Sequence, residues 1–229
     1  MQSPIIAYKA CSSCGAQFRN SAAAETCPYE GTPLSAVTTD PLVGTIIQGK
    51  FEVLAMVGLG GWSVVYKARH LGLNKFVALK FLHKHFVDDR EKILRFHNEA
   101  KAVATISHPN IVFIHDFGLL DNGLPYIAMD FLEGETLAHM LAQRHRLNSD
   151  EIIDLFSQAC CALTAAHEIG IIHRDIKPSN MVVTENSDGK PHLVICDFGL
   201  AKLTSIEESL SLTRTGQTLG TPAYMSPEQ

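Results

Sequence analysis

Between His173 and Gly199 the chain carries two polar clusters, neither of which reads as one face of an α-helix. The first is His173-Arg174-Asp175-Ile176-Lys177-Pro178-Ser179-Asn180. Pro178 lacks an amide donor and blocks a helix interior, so Asp175 and Asn180 belong to a loop rather than to one helical face. The apolar run His192-Leu193-Val194-Ile195-Cys196 then reads as a strand that delivers Asp197 to its end, ahead of Phe198 and Gly199. Two carboxylates, an amide and a lysine are thereby gathered on loops. Such a set suits the terminal phosphate of a nucleotide and its magnesium ions.

The texture upstream changes along the chain. Phe51 to Val57, Val64 to Arg69 and Phe76 to Leu82 are β-branched or alternating and predict an antiparallel set of strands. A helix is expected from about Asp89 to Ile106, with Ile93, Phe96, Ala100, Val103 and Ile106 on one stripe. Strands over Ile111–Leu119 and Pro125–Phe131 follow, joined at Asp121-Asn122-Gly123. Leu137, Met140 and Leu141 mark a short amphipathic piece. A longer helix begins near Asn148, with Glu151 as capping-box partner and Ile152, Phe156, Cys160, Leu163 and His167 as its apolar face. Gly170 stops it. Strands first and helices afterwards predict an α+β body with two lobes.

Gly58-Leu59-Gly60-Gly61-Trp62-Ser63-Val64-Val65 lies between two of the strands. A glycine-rich turn lets backbone N–H groups approach phosphate oxygens with no Cβ in the way. A dinucleotide-binding fingerprint would need a helix next, and β-branched residues follow instead. Val77-Ala78-Leu79-Lys80 places an ammonium group on an apolar strand, which calls for a counter-charge, and Glu99 on the next helix is the partner at hand.

Taken in order, these motifs resemble a bacterial, eukaryotic-type (Hanks-type) Ser/Thr protein kinase over roughly residues 45–229. The glycine pattern matches at Gly58, Gly60 and Val65, and Ser63 stands where the third glycine would be. The resemblance implies a bilobal protein-kinase-like fold, with an N-lobe at about 45–130 and a partial C-lobe at about 131–229. It implies ATP contacts from Val57, Gly58, Gly60, Gly61, Val65, Ala78 and Lys80. Met129 would limit the pocket behind the adenine, and the backbone of Asp130 and Leu132 would bond the base. Asp175 would accept the substrate hydroxyl's proton, Lys177 would offset charge on the γ-phosphoryl, and Glu99 would pair with Lys80. Asn180 and Asp197 would hold Mg²⁺, with Mn²⁺ as an alternative.

Residues 197–228 resemble an activation segment ending in Gly220-Thr221-Pro222-Ala223-Tyr224-Met225-Ser226-Pro227-Glu228. Thr213 and Thr215 fall at the spacing of the autophosphorylated threonines of bacterial relatives. Arg174, beside Asp175, would pair with the roughly −1.5 to −2 charge of a phosphate there. The chain stops at Gln229, directly after this motif, so the expected C-lobe is truncated. The expected partners are therefore ATP and Ser/Thr-bearing proteins, with a dimer through the N-lobe also open. A second reading is an inactive kinase-like fragment that serves as an ATP-binding or zinc-ribbon interaction module. Lys80, Asp175, Asn180 and Asp197 together favour the active form.

Composition bounds the alternatives. Forty-six per cent apolar residues in 229 can bury a core, and no run of 18 apolar residues suggests a membrane span. A net charge of −5 gives no reason to propose nucleic acid or a membrane surface as partner. The first residues lack a secretory signal, so a reducing, cytoplasmic setting is expected, with a membrane anchor in any further C-terminal part left open. Cys160, Cys161 and Cys196 then read as buried structural thiols. Cys11, Cys14 and Cys27 differ: Cys11-Ser12-Ser13-Cys14-Gly15 and Cys27-Pro28-Tyr29-Glu30-Gly31 resemble the two knuckles of a small zinc ribbon over residues 8–35, ahead of a linker at 36–44. Glu30 occupies the fourth cysteine's place and would complete a Zn²⁺ site with the three thiolates. A metal-free cluster or a degenerate ribbon is the alternative.

Overall fold

The computed structural model describes residues 8–14, 16–19, 25–37, 40–61, 63–87, 89–198 and 222–225. The chain divides into two units, residues 1–97 with 114–131 and residues 98–113 with 132–229.

The first unit holds two antiparallel sheets. Strands β1 (Tyr8–Cys11), β2 (Gln17–Arg19) and β3 (Leu34–Val37) form one, in the order β2-β1-β3. The other has six strands, β4 (Ile46–Ile47), β5 (Phe51–Leu59), β6 (Ser63–His70), β7 (Lys75–Leu82), β8 (Ile114–Leu119) and β9 (Pro125–Asp130), in the order β4-β5-β6-β7-β9-β8. Successive side chains in a strand point to opposite faces, so the pairing register decides what is buried. Val64, Tyr66 and Ala68 of β6 meet Val77, Leu79 and Phe81 of β7 and Tyr126 and Ala128 of β9 in one core. The rings in it are tilted or edge-on, as between Tyr66 and Phe81 at 5.8 Å, the arrangement the ring quadrupoles favour.

The segment predicted to be a linker is tied into this core. Tyr8, Ala10, Val37 and Leu42 pack on it. Asp40 Oδ2 accepts from the hydroxyls of Tyr8 (3.0 Å) and Tyr66 (2.8 Å), while Asp40 Oδ1 accepts from the Leu42 N–H (2.9 Å). Burial and the Asp40 charge both raise the pKa of the two phenols, so they stay protonated and donate.

Helix α1 (Arg90–Val103) starts in the first unit, and the division between units falls within it. Phe96, Ala100 and Val103 are buried, as is Ile106 beyond its end. The expected extension to Ile106 does not form: Thr105 Oγ1 donates to the Ala102 carbonyl and the last turns tighten to three-residue spacing.

In the second unit, β10 (Gly134–Thr136), β11 (Met181–Glu185) and β12 (Pro191–Ile195) make an antiparallel sheet. Gly134 is required there, since a Cβ would lie 2.2 Å from the Val183 carbonyl oxygen. Residues 111 and 112, expected at the start of a strand with 114–119, instead bond to Ile195 of β12. Thr136 caps α2 (Leu137–Arg144). Asn148 caps α3 (Ser149–Glu168) through the predicted capping box with Glu151. Gly170, with φ of 78°, supplies the left-handed residue after α3.

The buried face of α3 differs from the expected one. Leu155, Ala159, Ala162 and Ala166 are buried, whereas Ile152, Phe156, Cys160 and Cys161 are exposed. Small alanines let the helix backbone lie close to β12, where Gln158 Oε1 accepts the Leu193 N–H at 2.9 Å. The longer apolar side chains and both thiols turn outward. No helix among the described residues is long and apolar enough to cross a membrane.

The Asp40 contacts generate a stability prediction. Asp40→Ala should cost about 1–3 kcal/mol in guanidinium unfolding, because the buried Tyr66 O–H loses its acceptor. Adding Tyr66→Phe should recover part of that loss; strictly additive costs would show the hydroxyls and the carboxylate to be uncoupled.

Candidate functional site

Apart from Leu132, the residues expected to contact ATP lie in the first unit. The register aligns Gly58 with Val65, Val65 with Lys80, and Lys80 with Ile127; the next row aligns Ala78 with Met129. Because faces alternate, Val65, Ala78, Lys80 and Met129 share the face opposite the Tyr66–Phe81 core. Ala78, Lys80 and Met129 are all buried. An ammonium group buried to this degree needs compensation, and the Lys80 Nζ lies 6.0 Å from the Phe96 ring centroid of α1. Glu99 sits on α1 between buried Phe96 and Ala100, and its side chain is outside the described residues. Between β5 and β6, Gly60 and Gly61 are exposed, with the Gly60 N–H bonded to the Ser63 carbonyl at 2.9 Å. Val57 is 36% exposed, at the irregular pairing between Met56 and Gly58. Asp130 ends β9, and its carboxylate accepts from His115 Nε2 at 2.7 Å. Its backbone therefore remains the part of this residue suited to a base. Leu132 lies just past β9 and is half-buried.

Asp175, Lys177, Asn180 and Asp197 lie in the second unit. A short 3-10 turn over Pro178–Asn180 leads from the polar loop into β11. Lys177 Nζ donates to Asp175 Oδ2 at 2.9 Å. Buried Asn180 donates from Nδ2 to the Asp175 carbonyl at 2.9 Å and to Asp175 Oδ2 at 3.2 Å. Spending both amide hydrogens on Asp175 leaves Asn180 Oδ1, a hard oxygen, as the atom for a cation. Asp197 follows β12 with φ of 53° and Arg174 has φ of 63°, both in the left-handed region that costs a non-glycine residue energy. The structure therefore brings Asp175, Lys177 and Asn180 into direct contact.

His173 joins the two loops. Its Nδ1 accepts the Asp175 N–H at 3.2 Å and its Nε2 donates to the Cys196 carbonyl at 3.0 Å. The ring is 1% exposed and rests 4.5 Å from that of Phe198. Asn110 is a second brace: its Nδ2 donates to the Leu193 carbonyl at 2.6 Å, and its own carbonyl accepts the Ile195 N–H at 2.8 Å. Sequence reasoning missed both roles. A histidine directly after Ile171-Ile172 and an asparagine directly before Ile111-Val112 are the available signals.

At the amino terminus the sulfurs of Cys11, Cys14 and Cys27 lie within 4.8 Å of one another. Cys14 Sγ and Cys27 Sγ are 3.7 Å apart, close to the edge of about 3.8 Å for a tetrahedron with Zn–S of ~2.3 Å. The three thiols thus fit a tetrahedral zinc ion. Bonds from the Cys14 backbone first, and then the Thr32 hydroxyl, lower the Cys11 pKa to about 6, while burial pushes Cys14 up to about 11. The expected fourth ligand is not with them: Glu30 is exposed on its turn and lies outside the cluster. A carboxylate left in water avoids the desolvation cost of joining the buried thiols. Thr213 and Thr215 lie outside the described residues.

Residues 51–229 match the family model described as the protein kinase domain. The chain belongs to the protein kinase family. It is 41% identical over 192 residues to the serine/threonine-protein kinase pkn3 of Myxococcus xanthus, covering 83% of this chain and 35% of that protein. It is 37% identical over 188 residues to the serine/threonine-protein kinase PrkC of Bacillus subtilis, covering 82% and 28%. The chain thus spans about a third or less of the length of these curated relatives. Among solved structures it is similar to the PknI kinase domain of Mycobacterium tuberculosis, at a TM-score of 0.60 and 31% identity over 77% of this chain and 69% of that one.

Proposed function

We propose that the chain transfers the γ-phosphoryl group of ATP to Ser or Thr hydroxyls of proteins. The contact of Asp175 with both Lys177 and Asn180 carries this reading. A cation and an amide are each held within hydrogen-bond reach of the same carboxylate, the kind of positioning that phosphoryl transfer asks of its base and its metal-holding amide. The family match and the Ser/Thr kinase names of the relatives support it.

The chain's own groups divide the work. Gly58, Gly60, Gly61 and Val65 cover the phosphates, and Lys80 contacts them with Glu99 as its counter-charge. Ala78, Met129 and the backbone of Asp130 and Leu132 receive the adenine. Asp175 orients the substrate hydroxyl and accepts its proton, and Lys177 offsets charge on the transferring group. Asn180 Oδ1 and Asp197 hold the magnesium that accompanies ATP. When bound, that ion neutralises charge on the phosphate oxygens. Arg174 pairs with phosphate on Thr213 or Thr215.

The three amino-terminal thiolates hold a structural zinc ion, which would cross-link the two turns. The sulfur geometry supports this site, and the exposed position of Glu30 speaks against its being a ligand.

Radiolabel transfer from ATP to a generic basic protein should fall about 10²–10⁴-fold in Asp175→Asn, with ADP affinity retained. Unchanged turnover would reject the role given to Asp175. Preincubation with ATP should raise activity in the wild type and leave Thr213→Ala/Thr215→Ala largely unstimulated. Equal stimulation of both would remove these threonines from regulation. Elemental analysis should find one zinc per chain, lost in Cys14→Ser and retained in Glu30→Gln. Purified wild type without zinc would reject the metal site.

A further inference from the structure

The residue after β7 reaches the glycine-rich turn. His83 Nε2 lies 2.8 Å from the Gly60 carbonyl oxygen, and the residue is 3% exposed. The register explains the approach: Ser63, where β6 begins, pairs with Leu82, the last residue of β7. A carbonyl can only accept, so Nε2 carries the proton. Burial lowers the His83 pKa, consistent with a neutral ring.

The ring is itself wedged. It stacks on His85 at 5.6 Å and 19°, and His85 rests 4.5 Å from Tyr29 in the second cysteine turn. His85 offers no competing hydrogen bond: neither of its buried ring nitrogens has a partner among the described residues, and burial first, then His83, pushes its pKa down to about 4.

We infer that His83 is a positioning residue for the nucleotide phosphates, because its bond to Gly60 fixes the orientation of the Gly60–Gly61 peptide. The peptide unit is planar and trans, so holding the Gly60 oxygen toward His83 turns the Gly61 N–H the opposite way, away from His83. Both residues are glycines, so no side chain opposes a flip of this peptide. A Cβ at Gly61 would meet nothing within 4 Å, so this residue is not packed against another part of the fold. The inference rests on the reading that this turn covers ATP phosphates. It assigns the selection of peptide orientation to a residue outside the glycine motif.

The test compares ligands with and without phosphates on the full chain. His83→Met keeps volume and removes the donor, whereas His83→Gln restores an N–H. Calorimetry should show ADP and a non-hydrolysable ATP analogue binding about tenfold more weakly to His83→Met, the effect of one lost neutral hydrogen bond. Adenosine should bind as it does to wild type, and His83→Gln should recover most of the loss. Turnover should show a raised KM for ATP with kcat little changed. Equal losses for adenosine and ADP, or no loss for either, would overturn the inference while wild-type ADP binding left the kinase reading intact. Failure of wild type to bind ADP would overturn both. If His83→Met does not fold, amide shifts in wild type decide: the Gly61 amide should move on addition of ADP and not of adenosine, and the reverse would sink the idea.

Discussion

The imidazole of His173 is the interaction on which the second unit's site depends. Two loops, one carrying Asp175 and the other Asp197, leave different elements and have no helix to order them. A single buried ring accepts from the first and donates to the second. Because both partners are backbone groups, the ring fixes where the loops run, and the side chains of Asp175, Lys177 and Asn180 then adjust around that fixed path. Asn110 repeats the device one strand further in, tying residues 110–112 to β12. Neutral hydrogen bonds contribute only about 1 kcal/mol each. Their value here lies in removing alternatives for segments that periodicity leaves undetermined.

Much of this was legible before any coordinates. The β-rich half announced itself through alternation, and the register placed Val65, Ala78, Lys80 and Met129 on one face. The capping box at Asn148 and Glu151 was written in local chemistry and formed as expected. The failures share a cause. Periodicity predicts Ile152, Phe156, Cys160, Leu163 and His167 as the apolar face of α3, because large side chains dominate such a count. The helix instead buried Leu155 and three alanines, since small residues permit close approach to β12. Glu30 is expected as a ligand because it occupies the fourth cysteine's place in the ribbon resemblance. Spacing could not register that a carboxylate gains more from water than from joining buried sulfurs. His173 and Asn110 escaped because their partners are backbone atoms far along the chain, which no local pattern encodes.

The amino-terminal segment changes meaning once its contacts are known. Residues 36–44 read as a spacer, yet Asp40 binds two phenols and Leu42 packs into the core. The cysteine turns are therefore part of the first unit's framework rather than a tethered appendage. Tyr29 continues that framework toward His85 and His83, next to the glycine turn. The second cysteine turn and the glycine-rich turn are thus linked by a set of packed rings.

The central proposal is ATP-dependent phosphoryl transfer, in which Lys80 contacts the nucleotide's phosphates and Asn180 and Asp197 hold its metal ion. Paramagnetic broadening tests it directly. With Mn²⁺ and a non-hydrolysable ATP analogue together, the amides of Gly60, Lys80, Asn180 and Asp197 should all broaden, and neither Mn²⁺ nor nucleotide alone should do this. Broadening confined to one unit, or metal and nucleotide effects at separate places, would contradict the account.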